Sequence, residues 1–272
     1  MEIIQETLKD TILIIPLLFI MYFFLESLER RQQTQHFESY LKKFGPLFGS
    51  LVGLIPQCGF SVLASMLFIE KKITWGTLIS VLIATSDEAI PILLTHPQMY
   101  SSLLSILFFK FIIAIIVGYL VDFFLKEQQF STSTVTEHHE HGHPLMIEVF
   151  LRTMKIYLFI FVVQIILTYF MEQLTPHQIS FLFMDESLFQ PIICALFGFV
   201  PNCASSVILS QLYVNSIISF SSLLSGLITN GGLGILILLQ NKVKSSVILK
   251  TCLIILLTAL IITIPFQWFH LM

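Results

Sequence analysis

A stretch of 49 residues occurs twice in this chain. With residues 46–94 set over residues 191–239 at a constant offset of 145, and no gap, 18 of the 49 positions are identical. Shared Leu and Ile content alone gives roughly four or five matches, so the repeat reads as an internal duplication. The identities include residues that composition does not favour: Gly53/Gly198, Pro56/Pro201, Cys58/Cys203, Ser61/Ser206, Ser65/Ser210 and Ser80/Ser225. Upstream, YFFLESL (22–28) echoes TYFMEQL (168–174). Downstream, Lys110 and Lys250 match if about five residues are missing from the second copy. The chain therefore divides into repeat 1 (1–128), a linker (129–146) and repeat 2 (147–272).

Lipid is the solvent for both copies. Of the 272 residues, 56% are hydrophobic and 11% charged, with a mean hydropathy of +0.88. A soluble domain carries about 25% charged residues, so too little polar surface remains here to cover a water-soluble globule. The net charge of −3 comes without a polybasic run, which argues against nucleic acid as a partner. Glu2, Glu6, Lys9 and Asp10 stand where a secretory leader has a basic segment, so the first apolar run is expected to stay as a membrane helix.

Each copy reads as a long apolar helix (11–28, 150–171) followed by a proline-interrupted segment (46–69, 191–214). A polar-centred helix (73–95, 218–240) and a final helix (101–125, 245–268) complete it. The interrupted segment could cross the membrane once, or enter and leave on one side. If it crosses, the Lys and Arg residues other than Lys110 split 7 to 6; if it is a hairpin, all of these but Lys9 fall on one side, 12 to 1. The bias of positive charge to the cytoplasmic side selects the hairpin. Three spans plus one re-entrant hairpin is an odd number of crossings, so the copies should be inverted relative to each other. The expected fold is all-α, with about ten helical segments, both termini outside and the linker in the cytoplasm. Inverted repeats with broken helices meeting at the midplane are a recurrent plan of secondary transporters.

The candidate site lies where the helices break. The tips read PQCG (56–59) and PNCA (201–204), and each proline frees backbone groups that lipid cannot satisfy. Gln57, Cys58, Asn202 and Cys203 are thus candidate substrate ligands, although a buried cysteine is ordinarily a small hydrophobe. Cys194 and Cys252 have no counterpart and read as packing. In ATSDEAIP (84–91), Ser86, Asp87 and Glu88 sit mid-membrane, where each carboxylate costs about 2.5–3.5 kcal/mol. Asp87 is the favoured ligand, and Asp87 or Glu88 the favoured proton carrier. A purely structural carboxylate pair is the plain alternative. The matching TNGGLG (229–234) contributes Asn230 and Gly231 without charge, so its backbone can open. Lys110 stands roughly 14 Å from the nearer end of its helix, too deep to snorkel, and is a candidate counter-ion. In the linker, EHHEHGH (137–143) offers His138, His139, His141 and His143 as a weak metal-collecting arm, or simply as a polar loop.

In GLIPQCGFSV (53–62), IATSDEAIP (83–91), GFVPNCASSV (198–207) and TNGGLG (229–234), the sequence resembles the ten-transmembrane heavy-metal exporter family, related to the ArsP-type permeases. The resemblance runs through both copies. It implies efflux of a metal or metalloid, with arsenic and manganese both attached to such sequences. Thiols and imidazoles would favour zinc, copper(I) or trivalent arsenic; carboxylate, carboxamide and carbonyl oxygens would suit manganese. The expected function is a secondary-active exporter of such an ion, coupled to protons, in the inner (plasma) membrane, with lipid and a small inorganic ion as partners and no cofactor.

The alternative is a transporter of a small organic or inorganic anion held at half-helix N-termini. No Walker A loop or C-x-x-C is present, and the one H-E-x-x-H string, HEHGH (139–143), falls in the linker rather than on a helix, which argues against an ATP-driven pump and against an enzyme.

Overall fold

A computed structural model of the chain describes residues 15–16, 19–20, 23, 34–85, 89–125, 145–172 and 189–271, and among these there are helices and no strand. Most of the expected first helix (11–28) and nearly all of the linker lie outside the described residues. The helices are α1 (Thr34–Gly53), α2 (Gly59–Ile69), α3 (Trp75–Ala84), α4 (Ala89–Leu94) and α5 (Tyr100–Phe124). They continue as α6 (Leu145–Glu172), α7 (Gln190–Gly198), α8 (Cys203–Val214), α9 (Phe220–Thr229), α10 (Gly234–Gln240) and α11 (Ser245–Leu271).

Four stretches are long and apolar enough to cross a membrane by length and composition: Trp75–Leu94, Pro97–Phe124, Phe220–Gln240 and Ser245–Trp268. They do not play equal parts. Every residue of α3 is buried, as is nearly all of α9, so this central pair is enclosed by protein. The outer helices α5 and α11 instead turn Leu104, Phe108, Phe123, Leu249, Leu253 and Ile261 outward. In water so much exposed apolar area would aggregate; facing acyl chains it is the solvated surface. The chain is a multi-pass helical membrane protein.

The start of each central helix is fixed by a hydroxyl cap. Thr74 accepts from the Thr77 amide at α3, and Ser219 from the Ser222 amide at α9. The turn before each cap contains a residue with a left-handed backbone, Lys71 (φ 60°) and Ser216 (φ 56°). Asp122 near the end of α5 ties its helix to the α3 cap: Thr74 Oγ1 donates to its Oδ2 at 2.7 Å and the Gly76 amide to its Oδ1 at 2.7 Å. Gln267 of α11 does the same for α9, its Oε1 accepting from Ser219 Oγ and Ser221 Oγ. A carboxylate at a helix N-terminus also complements the positive end of the helix dipole.

Helix directions follow from which residues meet. Gly45 faces Thr77, Gly49 faces Thr77 and Val81, and Gly53 faces Val81 and Ala84. Residue numbers rise together, so α1 and α3 run parallel and the chain must reverse through residues 54–58. In the second copy Gln190 binds the Ser219 amide (3.1 Å) and Ser222 Oγ (2.8 Å), and Thr229 Oγ1 donates to the Ala195 carbonyl at 2.7 Å. There α7 and α9 are parallel too, and the chain reverses at 199–202. By contrast α3 and α5 are antiparallel: Gly76 meets Asp122, Ser80 Oγ donates to the Ala114 carbonyl at 2.8 Å, and Thr85 meets Lys110. The second arm of each hairpin packs on the other copy, α2 against α10 and α8 against α4.

Two expectations are corrected. The first arm does not start at residue 46; α1 begins at Thr34 and carries Pro46 inside it. A proline removes a single bond to the preceding turn, and here the helix continues through it. Nor are about five residues missing from the second copy. α5 starts at Tyr100 and α11 at Ser245, still 145 apart, and the Asp122 and Gln267 caps keep the same register. The counterpart of Lys110 is therefore Ile255, fully buried, while Lys250 stands exposed one and a half turns earlier.

Candidate functional site

Both central helices stop half-way across, and for different chemical reasons. α3 ends at Thr85, whose ψ of 128° turns its carbonyl away from the helix axis. Ser86, Asp87 and Glu88 follow outside the described residues, and the chain resumes as α4 at Ala89. α9 ends at Asn230 (φ −75°, ψ 79°), and Gly232 takes a φ of 57° before α10 begins. The Gly231 amide bonds to the Thr229 carbonyl at 2.9 Å, and the Gly232 amide to Asn230 Oδ1 at 3.3 Å. Gly232 is where glycine is required, because a side chain at positive φ is strained. The opened backbone expected from TNGGLG is present.

The hairpin tips are alike. At each, the residue after proline donates its amide two residues back, Gln57 to Ile55 and Asn202 to Val200, both at 2.7 Å. Ser61 Oγ then donates to the Cys58 carbonyl (2.7 Å) and Ser206 Oγ to the Cys203 carbonyl (2.8 Å), closing the first turn of each second arm. Asn202 is buried and caps α8, its Oδ1 accepting from the Ala204 amide at 3.1 Å; Gln57 is half-buried. The cysteines differ. Cys58 packs among Val62, Met66, Ile160, Leu233 and Ile237 as a small hydrophobe would, whereas Cys203 is half-buried. Cys194 is fully buried in the main core, with Cys252 packed at its edge.

Lys110 is the one sequence-singled charge that the described residues surround completely. Its side chain is 0% exposed. Nζ donates to the Thr85 carbonyl at the end of α3 and, at 2.6 Å, to the Leu227 carbonyl in the last turn of α9. One ammonium therefore binds the C-terminal ends of both central helices, one from each copy.

Around these breaks stand hydroxyls that the sequence pairs but gives no partner. Ser65 of α2 and Ser210 of α8 occupy equivalent positions, both 0% exposed and both without a hydrogen bond among the described residues, as is Ser225. An unsatisfied buried hydroxyl costs about 1–3 kcal/mol. Ser65 Oγ lies beside Gly234, where a Cβ would come within 2.8 Å of it. Among the described residues no three His, Cys, Asp or Glu side chains come together. His138, His139, His141 and His143 lie outside the described residues.

The capping pair Asp122 and Gln267 did not emerge from the sequence. Their shared offset of 145 was the available signal, hidden because Asp over Gln does not register as a match. Trp75, whose Nε1 donates to Thr251 Oγ1 at 2.9 Å, ties α3 to α11 and was equally silent.

Residues 3–168, which is 166 of the 272 residues, match the family described as "Putative, 10TM heavy-metal exporter". No curated protein and no solved structure matches the chain. A matched stretch of three-fifths of the chain, on a frame of apolar helices broken at mid-length, makes this protein a member of that family of ten-transmembrane heavy-metal exporters.

Proposed function

We propose that the protein is a secondary-active exporter of a heavy-metal or metalloid ion of the zinc, manganese, copper or arsenic class. In this reading the ion binds between two inverted halves, repeat 1 (1–128) and repeat 2 (147–272), joined by the linker 129–146. The observation that carries it is the meeting of two discontinuous spans, α3–α4 and α9–α10, at one buried ammonium. Broken helices free backbone oxygens at mid-depth, and such backbone is tolerated in a membrane only where it lines a protein-enclosed path.

Inversion is supported by one further contact. Tyr213 Oη, at the open end of the second hairpin, lies 2.8 Å from Ser102 Oγ at the start of α5. The first hairpin opens beside Asp122, at the other end of α5. Hairpins that open at opposite ends of one span enter the bilayer from opposite faces. With the excess of Lys and Arg on the cytoplasmic side, both chain termini would lie outside and the linker in the cytoplasm of a cell bounded by its inner (plasma) membrane. Glu140→Cys is expected to react with an impermeant thiol reagent only from the cytoplasmic face, and labelling from outside overturns this orientation.

The ligands proposed are Asp87, with Ser86 and Glu88, from the first break, Asn230 and Gly231 from the second, and Gln57, Cys58, Asn202 and Cys203 from the tips. Protons would be carried by Asp87 or Glu88, whose counterparts at the offset of 145 are the uncharged Gly232 and Leu233. The arrangement combines soft sulfur with hard oxygen, so the metal is read from which set matters. The deciding experiment is flux into liposomes against Zn²⁺, Cu⁺, Mn²⁺ and arsenite, with and without a proton gradient. Gradient-dependent flux of one of these is the expected result; none across the panel transfers the case to a small-anion carrier.

The thiols have their own test. Cys58→Ser combined with Cys203→Ser is expected to cut transport of copper(I) or arsenite at least about tenfold, while sparing manganese, because serine keeps an oxygen ligand and loses the soft one. Equal flux of every ion would return Cys58 to the packing role its apolar neighbours suggest.

A further inference from the structure

We propose that Lys110 is a tethered cation occupying a carbonyl cage that, without it, takes a free monovalent cation such as Na⁺, K⁺ or a small alkylammonium. The cage is built from the ends of two helices. A helix C-terminus carries roughly half a negative charge on its unpaired carbonyls. α3 contributes the Thr85 carbonyl, turned outward at the cap. α9 contributes the Leu227 carbonyl, which an intact helix would pair with the Gly231 amide; that amide is bound to Thr229 instead. Two such ends brought together in a 0%-exposed position repel each other unless a positive charge stands between them.

Backbone carbonyl oxygens such as these two are ligands for hard cations, the chemistry by which filters replace the hydration shell of alkali ions. Lys110 Nζ holds that position now, delivered from α5 by a side chain that cannot leave. The equivalent position in the other half is the apolar Ile255, so the molecule holds a single cage of this kind among its described residues. The consequence is functional. A carrier with this cage open would need an alkali ion from solution to join its two halves, whereas this chain supplies the charge itself and is freed from that requirement. The inference stands on the cage geometry alone and holds whichever ion the protein exports.

The test reads stability rather than transport, so its failure and the failure of the exporter reading are separate events. Wild type and Lys110→Ala, purified in detergent, are melted in choline, sodium, potassium and methylammonium chlorides at one ionic strength. Wild type is expected to melt at the same temperature in all four. Lys110→Ala is expected to melt lower in choline, which is too large for the cage, and to rise saturably by roughly 3 °C or more with at least one small cation. An alanine variant indifferent to the salt, or a wild type that gains equally, overturns the proposal. If the alanine variant does not accumulate, Lys110→Met decides: its side chain fills the space without charge, so it should melt well below wild type in every salt. A methionine variant as stable as wild type shows that the two helix ends need no cation, and the cage is abandoned.

Discussion

Asp87→Asn is expected to abolish transport while the protein accumulates, folds and melts as wild type does. The substitution keeps the size and one oxygen of the side chain and removes its charge. Folding should not suffer, since an ionised carboxylate at bilayer depth is itself unfavourable by about 2.5–3.5 kcal/mol. Transport should, because Asp87 follows Thr85 by two residues in sequence, and the Thr85 carbonyl is where α3 ends on the ammonium that also binds α9. Flux in liposomes should fall at least about a hundredfold, equivalent to about 2.7 kcal/mol. Glu88→Gln, measured alongside, separates ligand from proton carrier. If Asp87 binds the ion and Glu88 carries the proton, the glutamine variant keeps downhill flux and loses its response to a proton gradient. Normal flux in Asp87→Asn removes that residue from the mechanism.

The fold was legible to the extent that it is written in periodicity, breaks and duplication. The offset of 145 predicted paired elements, and α3 and α9 begin and end 145 residues apart at both ends. The hairpin reading rested on the distribution of Lys and Arg, and the parallel course of α1 and α3 reaches chain reversal by an independent route. What misled was the treatment of charge as an anchor. Aligning Lys110 with Lys250 required a gap, because two lysines in equivalent helices looked like a stronger match than unbroken register. The register is held by something weaker to the eye: Asp122 and Gln267 accept equivalent hydrogen bonds with different chemical groups. Lys110 binds two backbone ends, one of them in the other half, and backbone carbonyls have no letter in a sequence.

The site was legible only as a set of segments. The end of α3 at Thr85, the break at 230–232 and the tips at 57–58 and 202–203 follow from Pro, Gly and adjacent polar residues, each with a backbone reason. Which side chains converge is a matter of tertiary packing. Cys58 and Cys203 match in sequence and yet differ in burial: Cys58 packs against Leu233 and Ile237, whereas Cys203 is half-buried. A duplication that keeps backbone register can still let side chains diverge: Asp87 and Glu88 of the first copy stand over Gly232 and Leu233 of the second.

Gly53 and Gly198, 145 residues apart, set how closely the first arm of each hairpin lies against its central helix, and alanine at either should loosen the frame that holds the breaks. A Cβ on Gly53 would come within 2.7 Å of Ala84 Cβ and 2.8 Å of the Val81 carbonyl. On Gly198 it would collide with the Gly226 carbonyl and the Thr229 hydroxyl, closer still. Membrane helices gain little from the hydrophobic effect between themselves and depend on such close backbone approach. Backbone cannot rotate away as a side chain can, so the helices must separate, at a cost of about 1–3 kcal/mol for each substitution and at the upper end for Gly198→Ala, which also disturbs the Thr229 bond to Ala195. Gly231→Ala is the control: its nearest neighbour would be the Ile235 Cδ1 at 3.3 Å, the far end of a flexible side chain, and its backbone needs no left-handed φ. Thermal melting in detergent should rank the variants with Gly231→Ala near wild type, Gly53→Ala lower and Gly198→Ala lowest. A Gly198→Ala protein as stable as the control would mean that α7 and α9 are not held in contact at that point, and the breaks at 85 and 230 would then have to be positioned by Lys110 and the caps at Asp122 and Gln267 alone.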